Sequence, residues 1–348
     1  QRLALWLAQL LVCERPQGEP AEPCGRCQHC RFALRLEHPD VHWFFPLPRP
    51  KVSGGPEKLG EALEDARAAE LEARRADPYR AIAPGEPVGI YLAQVRTLRQ
   101  RAFARPALAR RKVFLVGDAE LLVPQEASPE AANALLKLLE EPPPETTLLL
   151  TASDPDALLP TIRSRVLPVR LRPLPEDDVV RFLVTERSEG PERARLVARM
   201  AQGSIGRALA FLPGDGEPGP LEALRQNAKT LLAAAAAAAP LPRHAAAHAL
   251  AAWGARAGFS DLLEALTLWL RDLAAAAAGA QDAVVYTDER EFLAELARRH
   301  PHAAAAVPEA VRVVEEAHAL AQNNVNPQLA LAWLLRRLHG ALAAAAAA

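Results

Sequence analysis

Phe114 to Leu122 reads FLVGDAELL, and the reading of this stretch decides the fold. The run Val113 to Val116 is short and wholly apolar, as expected of a strand buried on both faces of a sheet, and it is followed by a carboxylate. In sheets that hydrolyse nucleoside triphosphates, such a strand delivers two adjacent acids. One holds the metal ion and the other orients the attacking water. Here those two positions are Gly117 and Asp118. The strand is kept and one acid is left out.

Working outward, the segment containing NALLKLLEEP reads as a helix capped at Ser128, with Pro129 in its first turn and a stop at Pro142 to Pro144. Thr147 to Thr151 predicts a second buried strand, Pro155 to Ile162 a short helix, and Val166 to Leu171 a final strand. Upstream, VHWFF at Val41 to Phe45 predicts another strand. Tyr91 to Phe103 predicts an amphipathic helix with Leu92, Val95 and Leu98 on one face. Strands alternating with helices imply a three-layer α/β fold with a parallel sheet. Residues 49 to 88, rich in Pro, Gly, Glu, Arg and Ala, read as an exposed, mobile insertion with a charged helix over Glu57 to Arg75. From Pro173 the pattern is helical to the end. A three-helix segment covers about 174 to 212, and a linker, Pro213 to Pro220, leads to a larger helical domain.

With 348 residues the chain has room for two or three domains. Its formal net charge of -1 gives no global attraction to nucleic acid or to a membrane surface. No apolar run approaches the ~20 residues that span a bilayer. The start, QRLALWLAQLL, opens in mid-helix without a cap and lacks a signal-peptide pattern. This predicts a soluble, cytoplasmic protein whose upstream segment has been lost.

Cys13, Cys24, Cys27 and Cys30 follow the spacing C-x10-C-x2-C-x2-C, and no cysteine occurs after them. Thiolates this close in sequence can converge on one tetrahedral ion, for which zinc is the natural occupant. Four thiolates close the site, so the metal is structural. His29 and His38 are alternative ligands, with His29 expected to face solvent. Read as an independent zinc-dependent DNA-binding module, the stretch CERPQGEPAEPCGRCQHCRF fares poorly, because Arg15, Arg26 and Arg31 are offset by Glu14, Glu19 and Glu22.

KVFLVGDAELL, AANALLKLLEEPPPETTLLLTASDPDALLPTIRSR and GSIGRALAF, behind the cysteine module and HPDV at 38 to 41, together resemble the bacterial DNA polymerase III clamp-loader subunits of the extended AAA+ family. The resemblance covers residues 1 to about 212. It implies an AAA+ domain over 1–172 with its N-terminal part missing, carrying a zinc module at 13–36 and the charged insertion at 49–88. A helical lid over 173–212 and an all-α collar over 219–348 would follow.

The family has ATP-hydrolysing motor subunits, gamma or tau, and members that do not hydrolyse. Gly117 stands where the motor subunits carry the metal-binding acid, and the form HPDV also belongs to the non-hydrolysing type. The family's phosphate-binding loop, GxxxxGK[ST], is expected before Gln1 and does not occur in this sequence. The alternative reading, an active gamma- or tau-type motor, requires that loop and the missing acid.

Ser164, Arg165 and Val166 stand where the family places Ser-Arg-Cys. The resemblance makes Arg165, with Ser164 beside it, an arginine finger for the ATP site of an adjacent motor subunit, an effect worth ~10³ to 10⁵ in turnover in related systems. Without the resemblance, Arg163, Arg165, Arg170 and Arg172 read as exposed arginines flanking an edge strand. Arg207 lies where active relatives aim a second arginine at bound nucleotide, with a structural role favoured here. Glu140 and Glu141 read as groups that orient basic neighbours or a subunit contact. Implied partners are the gamma/tau motor subunits and delta in a pentameric ring, the beta sliding clamp, and primer-template DNA. ATP and Mg²⁺ would be held by the neighbours.

Overall fold

In the computed structural model, residues 1–53, 55–79, 88–122, 130–214, 216–249, 256–322 and 325–344 are described. The cap expected at Ser128 and Pro129 lies outside them, as do residues 80–87 of the charged segment. The chain forms two compact units, divided between Arg170 and Leu171.

The first unit is built on a parallel sheet of three strands, β1 (Val41–Phe44), β4 (Lys112–Val116) and β5 (Thr146–Leu150), in the order β1-β4-β5. Val41 pairs with Val113 and Phe44 with Val116, while Val113 pairs with Thr147 and Val116 with Leu150. A small antiparallel pair, β2 (Leu47–Pro48) and β3 (Val88–Gly89), lies apart from this sheet.

Every residue of β4 is buried, and its alternation generates the layers. Val113 and Leu115 enter a core with Ala8 and Val12 of α1 (Arg2–Val12), Trp43, Phe45 and Leu63. Phe114 and Val116 enter a second core with Val95 and Leu98 of α4 (Leu92–Phe103) and Leu135 and Leu138 of α5 (Glu130–Glu140). Two cores on opposite faces of one sheet make the three layers. Lys112, buried at the start of β4, caps α4 from below: its Nζ donates to the Arg101 carbonyl at 3.2 Å and to the carbonyls of Ala102 and Ala104. A cation on the last carbonyls of a helix satisfies orphan acceptors and suits the helix dipole.

The charged segment was expected to be exposed and mobile, yet α3 (Pro56–Ala76) packs on the first core, with Leu63, Arg67 and Arg74 buried. The Arg74 guanidinium lies 4.5 Å from the centroid of Trp43 and 4.2 Å from that of Phe45, and Arg67 lies 5.1 Å from Phe44. Each arginine is neutralised on its own helix, by Glu70 and Glu64 respectively. Composition alone does not reveal an amphipathic helix whose buried face is guanidinium stacked on aromatics.

The final strand expected at Val166 to Leu171 is also not a strand. It pairs with no strand among the described residues, and Leu167, Val169 and Leu171 stand exposed. Alternating apolar residues form a strand only against a neighbouring ladder.

The second unit is helical. Three helices, α7 (Glu176–Arg187), α8 (Pro191–Ala201) and α9 (Ile205–Phe211), precede the longer α10 (Pro220–Ala236), α12 (Arg256–Ala277), α14 (Ala303–Gln322) and α15 (Pro327–Ala344), with α11 (Leu241–Ala249) and α13 (Arg290–Arg299) between them. One continuous apolar core joins Leu183 and Val197 to Leu231, Trp269 and Leu335. At its centre Trp269 Nε1 donates to the Arg225 carbonyl at 2.9 Å. Fully buried Asp272 accepts from the backbone N–H groups of Val285 and Tyr286 at 3.0 and 2.8 Å.

Candidate functional site

The end of β4 carries Gly117 and Asp118. Gly117 offers no ligand atom, and there is little room for one: a Cβ there would lie 3.2 Å from Trp43 Nε1 and 3.3 Å from the Gln1 side chain. Asp118 has a positive φ of 49° and accepts from Gln1 Nε2 at 2.7 Å, while its backbone N–H donates to Thr151 Oγ1 at 3.3 Å. Glu120 is close enough to feel the Asp118 charge but makes its own contacts. Its Oε1 accepts from the Ser153 N–H at 2.9 Å, its Oε2 has no partner among the described residues, and burial raises its pKa. The strand end therefore presents one acid already engaged within the chain.

Beyond β5, the single turn α6 (Pro160–Arg163) ends at Ser164 in helical geometry and places Arg165 immediately after it. Arg165 Nε donates to Glu140 Oε1 at 2.6 Å, and Nη2 also reaches Glu140. Nη1 donates to the Thr161 carbonyl at 2.9 Å and to Ser164 Oγ at 3.1 Å. Ser164 and Arg165, paired by sequence, thus touch. Arg163 is directed elsewhere, to Asp156 at 2.7 Å. Arg207 lies in the helical unit, exposed on α9, where its charge tempers the pKa rise of Asp261. The sequence did not pair Glu140 with Arg165. An acid in the last turn of a helix opposes the helix dipole, and that misplacement was the available signal.

The four cysteine sulfurs lie within 4.8 Å of one another. Cys24 Sγ and Cys30 Sγ are 3.9 Å apart, close to the roughly 3.8 Å between sulfurs at the corners of a tetrahedron with ~2.3 Å zinc–sulfur bonds. The backbone N–H groups of Cys24, Cys27 and Cys30 each donate to the sulfur of the preceding cysteine, at 3.4 Å. N–H groups from Arg26 and Cys27 bring the Cys24 thiol down to about 6, whereas burial pushes Cys30 up. The donor set fits a soft tetrahedral cation.

His29 was expected in solvent, and the structure buries it instead. The Asp40 N–H donates to His38 Nδ1 at 3.0 Å, which leaves the proton on His38 Nε2, 2.8 Å from His29 Nδ1. His29 Nε2 then faces Glu14 Oε1 at 3.2 Å. This directed chain ties the cysteine loop to the HPDV segment and leaves neither histidine free as a ligand. Asp40 anchors the other end, accepting from the N–H groups of Ala107, Leu108 and Ala109 at 2.6, 2.7 and 2.6 Å.

A three-layer parallel sheet with one engaged acid, a four-thiol cluster and a separate helical unit place the protein among clamp-loader-like α/β chains. The chain belongs to the DNA polymerase III delta subunit family: the model described as "DNA polymerase III, delta subunit" matches residues 1–175, and that described as "DNA polymerase III, delta subunit, C terminal" matches residues 224–340. DNA polymerase III subunit delta' of Escherichia coli (strain K12) is 31% identical over 209 residues, covering 60% of this chain and 49% of the relative. Its counterpart in Bacillus subtilis (strain 168) is 26% identical over 181 residues, covering 52% and 41%. DNA polymerase III subunit tau of Escherichia coli is 29% identical over 225 residues, covering 62% and 28%. The chain thus spans about half the length, or less, of these curated relatives. A DNA polymerase III gamma subunit-related protein from Thermotoga maritima overlaps with a TM-score of 0.39 at 17% identity, over 89% of this chain and 97% of that one, too loosely to inform the site. Among the described residues no helix is long and apolar enough to cross a membrane.

Proposed function

We propose that this chain is a delta'-type, non-hydrolysing subunit of the replicative clamp loader, which supplies Arg165 to the ATP site of an adjacent gamma or tau subunit. The observation that carries the reading is the pairing of a strand end without a metal-binding acid, at Gly117, with a partly exposed guanidinium at Arg165. A chain built this way has little means to hydrolyse ATP and a suitable group to donate. A guanidinium brings permanent charge and planar donors to phosphate oxygens as charge builds on them. Ser164 Oγ orients Arg165 from its own turn.

The wider assembly belongs to the same reading: gamma/tau and delta in one ring, the sliding clamp as cargo, and primer-template DNA reached through the complex. Helices over 173–212 act as a lid and those over 219–348 as an oligomerisation collar. Cys13, Cys24, Cys27 and Cys30 hold a structural zinc ion, and Arg207 serves packing of the helical unit. The reading is tested by measuring ATP hydrolysis for the isolated chain and for the reconstituted loader with and without Arg165→Ala. An inert chain and a loader slowed by the substitution support it. A chain that hydrolyses ATP alone, in a loader indifferent to Arg165→Ala, would favour the motor-subunit reading.

A further inference from the structure

Glu140 is an acid in the wrong place for its helix. It closes α5, where the last carbonyls already concentrate negative charge, and Pro142 prevents the helix from continuing. It is compensated by Arg165, which is 25 residues distant in sequence. The guanidinium is not extended toward solvent. It folds back onto its own turn, with the Nε and Nη2 edge on Glu140 and Nη1 on Thr161 and Ser164.

We propose that Glu140 is a latch on Arg165: it holds the guanidinium in a self-paired state that must open before the arginine can reach a neighbour's phosphates. This rests on the finger reading above. While the pair is closed, its edge and charge are spent on a carboxylate, and that carboxylate would itself repel a triphosphate. The side chains remain 33% and 44% exposed, so the pair is the weak, water-screened kind that a phosphate cluster can displace. Docking then exchanges one anionic partner for another. Because only the open fraction can engage, the latch lowers the apparent strength of finger docking by that fraction.

The test is Glu140→Gln, which keeps the shape and removes the charge, in the assembled loader. Without clamp or DNA, turnover should rise about 1.4- to fivefold, the span of a surface ion pair's contribution. The increase should vanish in the Arg165→Ala background. Unchanged or lowered turnover in Glu140→Gln, or an increase that persists with Arg165→Ala, overturns the latch. If Arg165→Ala is itself silent, the finger reading has failed and the latch with it. If Arg165→Ala slows the loader and Glu140→Gln does nothing, only the latch has failed. In the free chain, NMR of the Arg165 Nε–H reads the pair directly. Slow solvent exchange that becomes fast in Glu140→Gln supports the closed state, and fast exchange in the unsubstituted chain refutes it.

Discussion

Replacing Asp40 with alanine removes the acceptor of three short hydrogen bonds, from the N–H groups of Ala107, Leu108 and Ala109. Each orphaned N–H would cost ~1 to 3 kcal/mol if water could not reach it. Leu108 and Ala107 lie at the surface, so water takes over part of the bonding and the low end applies. Relief of the buried carboxylate offsets some of the remainder, leaving a loss of about 2 to 3 kcal/mol. Asp40→Asn keeps one acceptor oxygen and should lose roughly half as much.

The pH dependence has a definite sign. Burial works against the Asp40 charge, but the three N–H donors outweigh it and lower its pKa in the folded chain. A depressed folded pKa gives stability that is present above the unfolded value of ~3.9 and is lost as pH falls through the folded value. The gap between unsubstituted chain and Asp40→Ala should therefore be widest near neutrality and close in acid. Urea unfolding at pH 7 and at about pH 2, below the depressed folded value, measures it, and hydrogen exchange at 107–109 locates it. A loss under ~0.5 kcal/mol at pH 7, within the range of ordinary surface substitutions, would refute the reasoning. A gap that does not narrow in acid would refute the electrostatic part.

Arg74→Ala should cost about 2 kcal/mol by uncovering Trp43 and Phe45, and a thermal melt shifted by less than a degree would contradict the stacking. Elemental analysis of the purified chain should find one zinc per molecule, with chelation or Cys27→Ser raising proteolysis around residues 13–36. A metal-free chain with the same protection there would contradict the structural ion. Asp261 is pushed up to about 6, first by burial and then by Glu264, while Arg207 opposes the rise. Its stabilising contribution is complete below ~3.9 and falls away as pH climbs through about 6. Asp261→Asn should therefore stabilise the chain at pH 8 and leave it unchanged at pH 4, and equal effects at both pH values would count against the assignment.

The sheet was legible because its central strand is apolar on both faces from Val113 to Val116. The cysteine cluster was legible from spacing. Less visible were features whose chemistry is shared across long sequence distances. Arg74 looks solvated until Trp43 is known to lie beneath it, and Glu140, read as orienting a basic neighbour, gives no local sign that the neighbour is Arg165, far along the chain. His29 reads as exposed between two cysteines, because nothing local reveals that His38 and Glu14 bracket it. Val166 to Leu171 misled for the converse reason: its alternation is genuine, but the described residues contain no ladder to receive it.

The central claim is that Arg165 acts on a neighbour's nucleotide. Single-turnover ATP hydrolysis by the fully assembled loader, with clamp and primer-template DNA, compares the unsubstituted chain with Arg165→Lys and Arg165→Ala at matched assembly. The account predicts that one hydrolysis phase slows by orders of magnitude in both variants, because a lysine keeps the charge but lacks the guanidinium's planar fork. Phases of unchanged rate and amplitude in Arg165→Ala would contradict it.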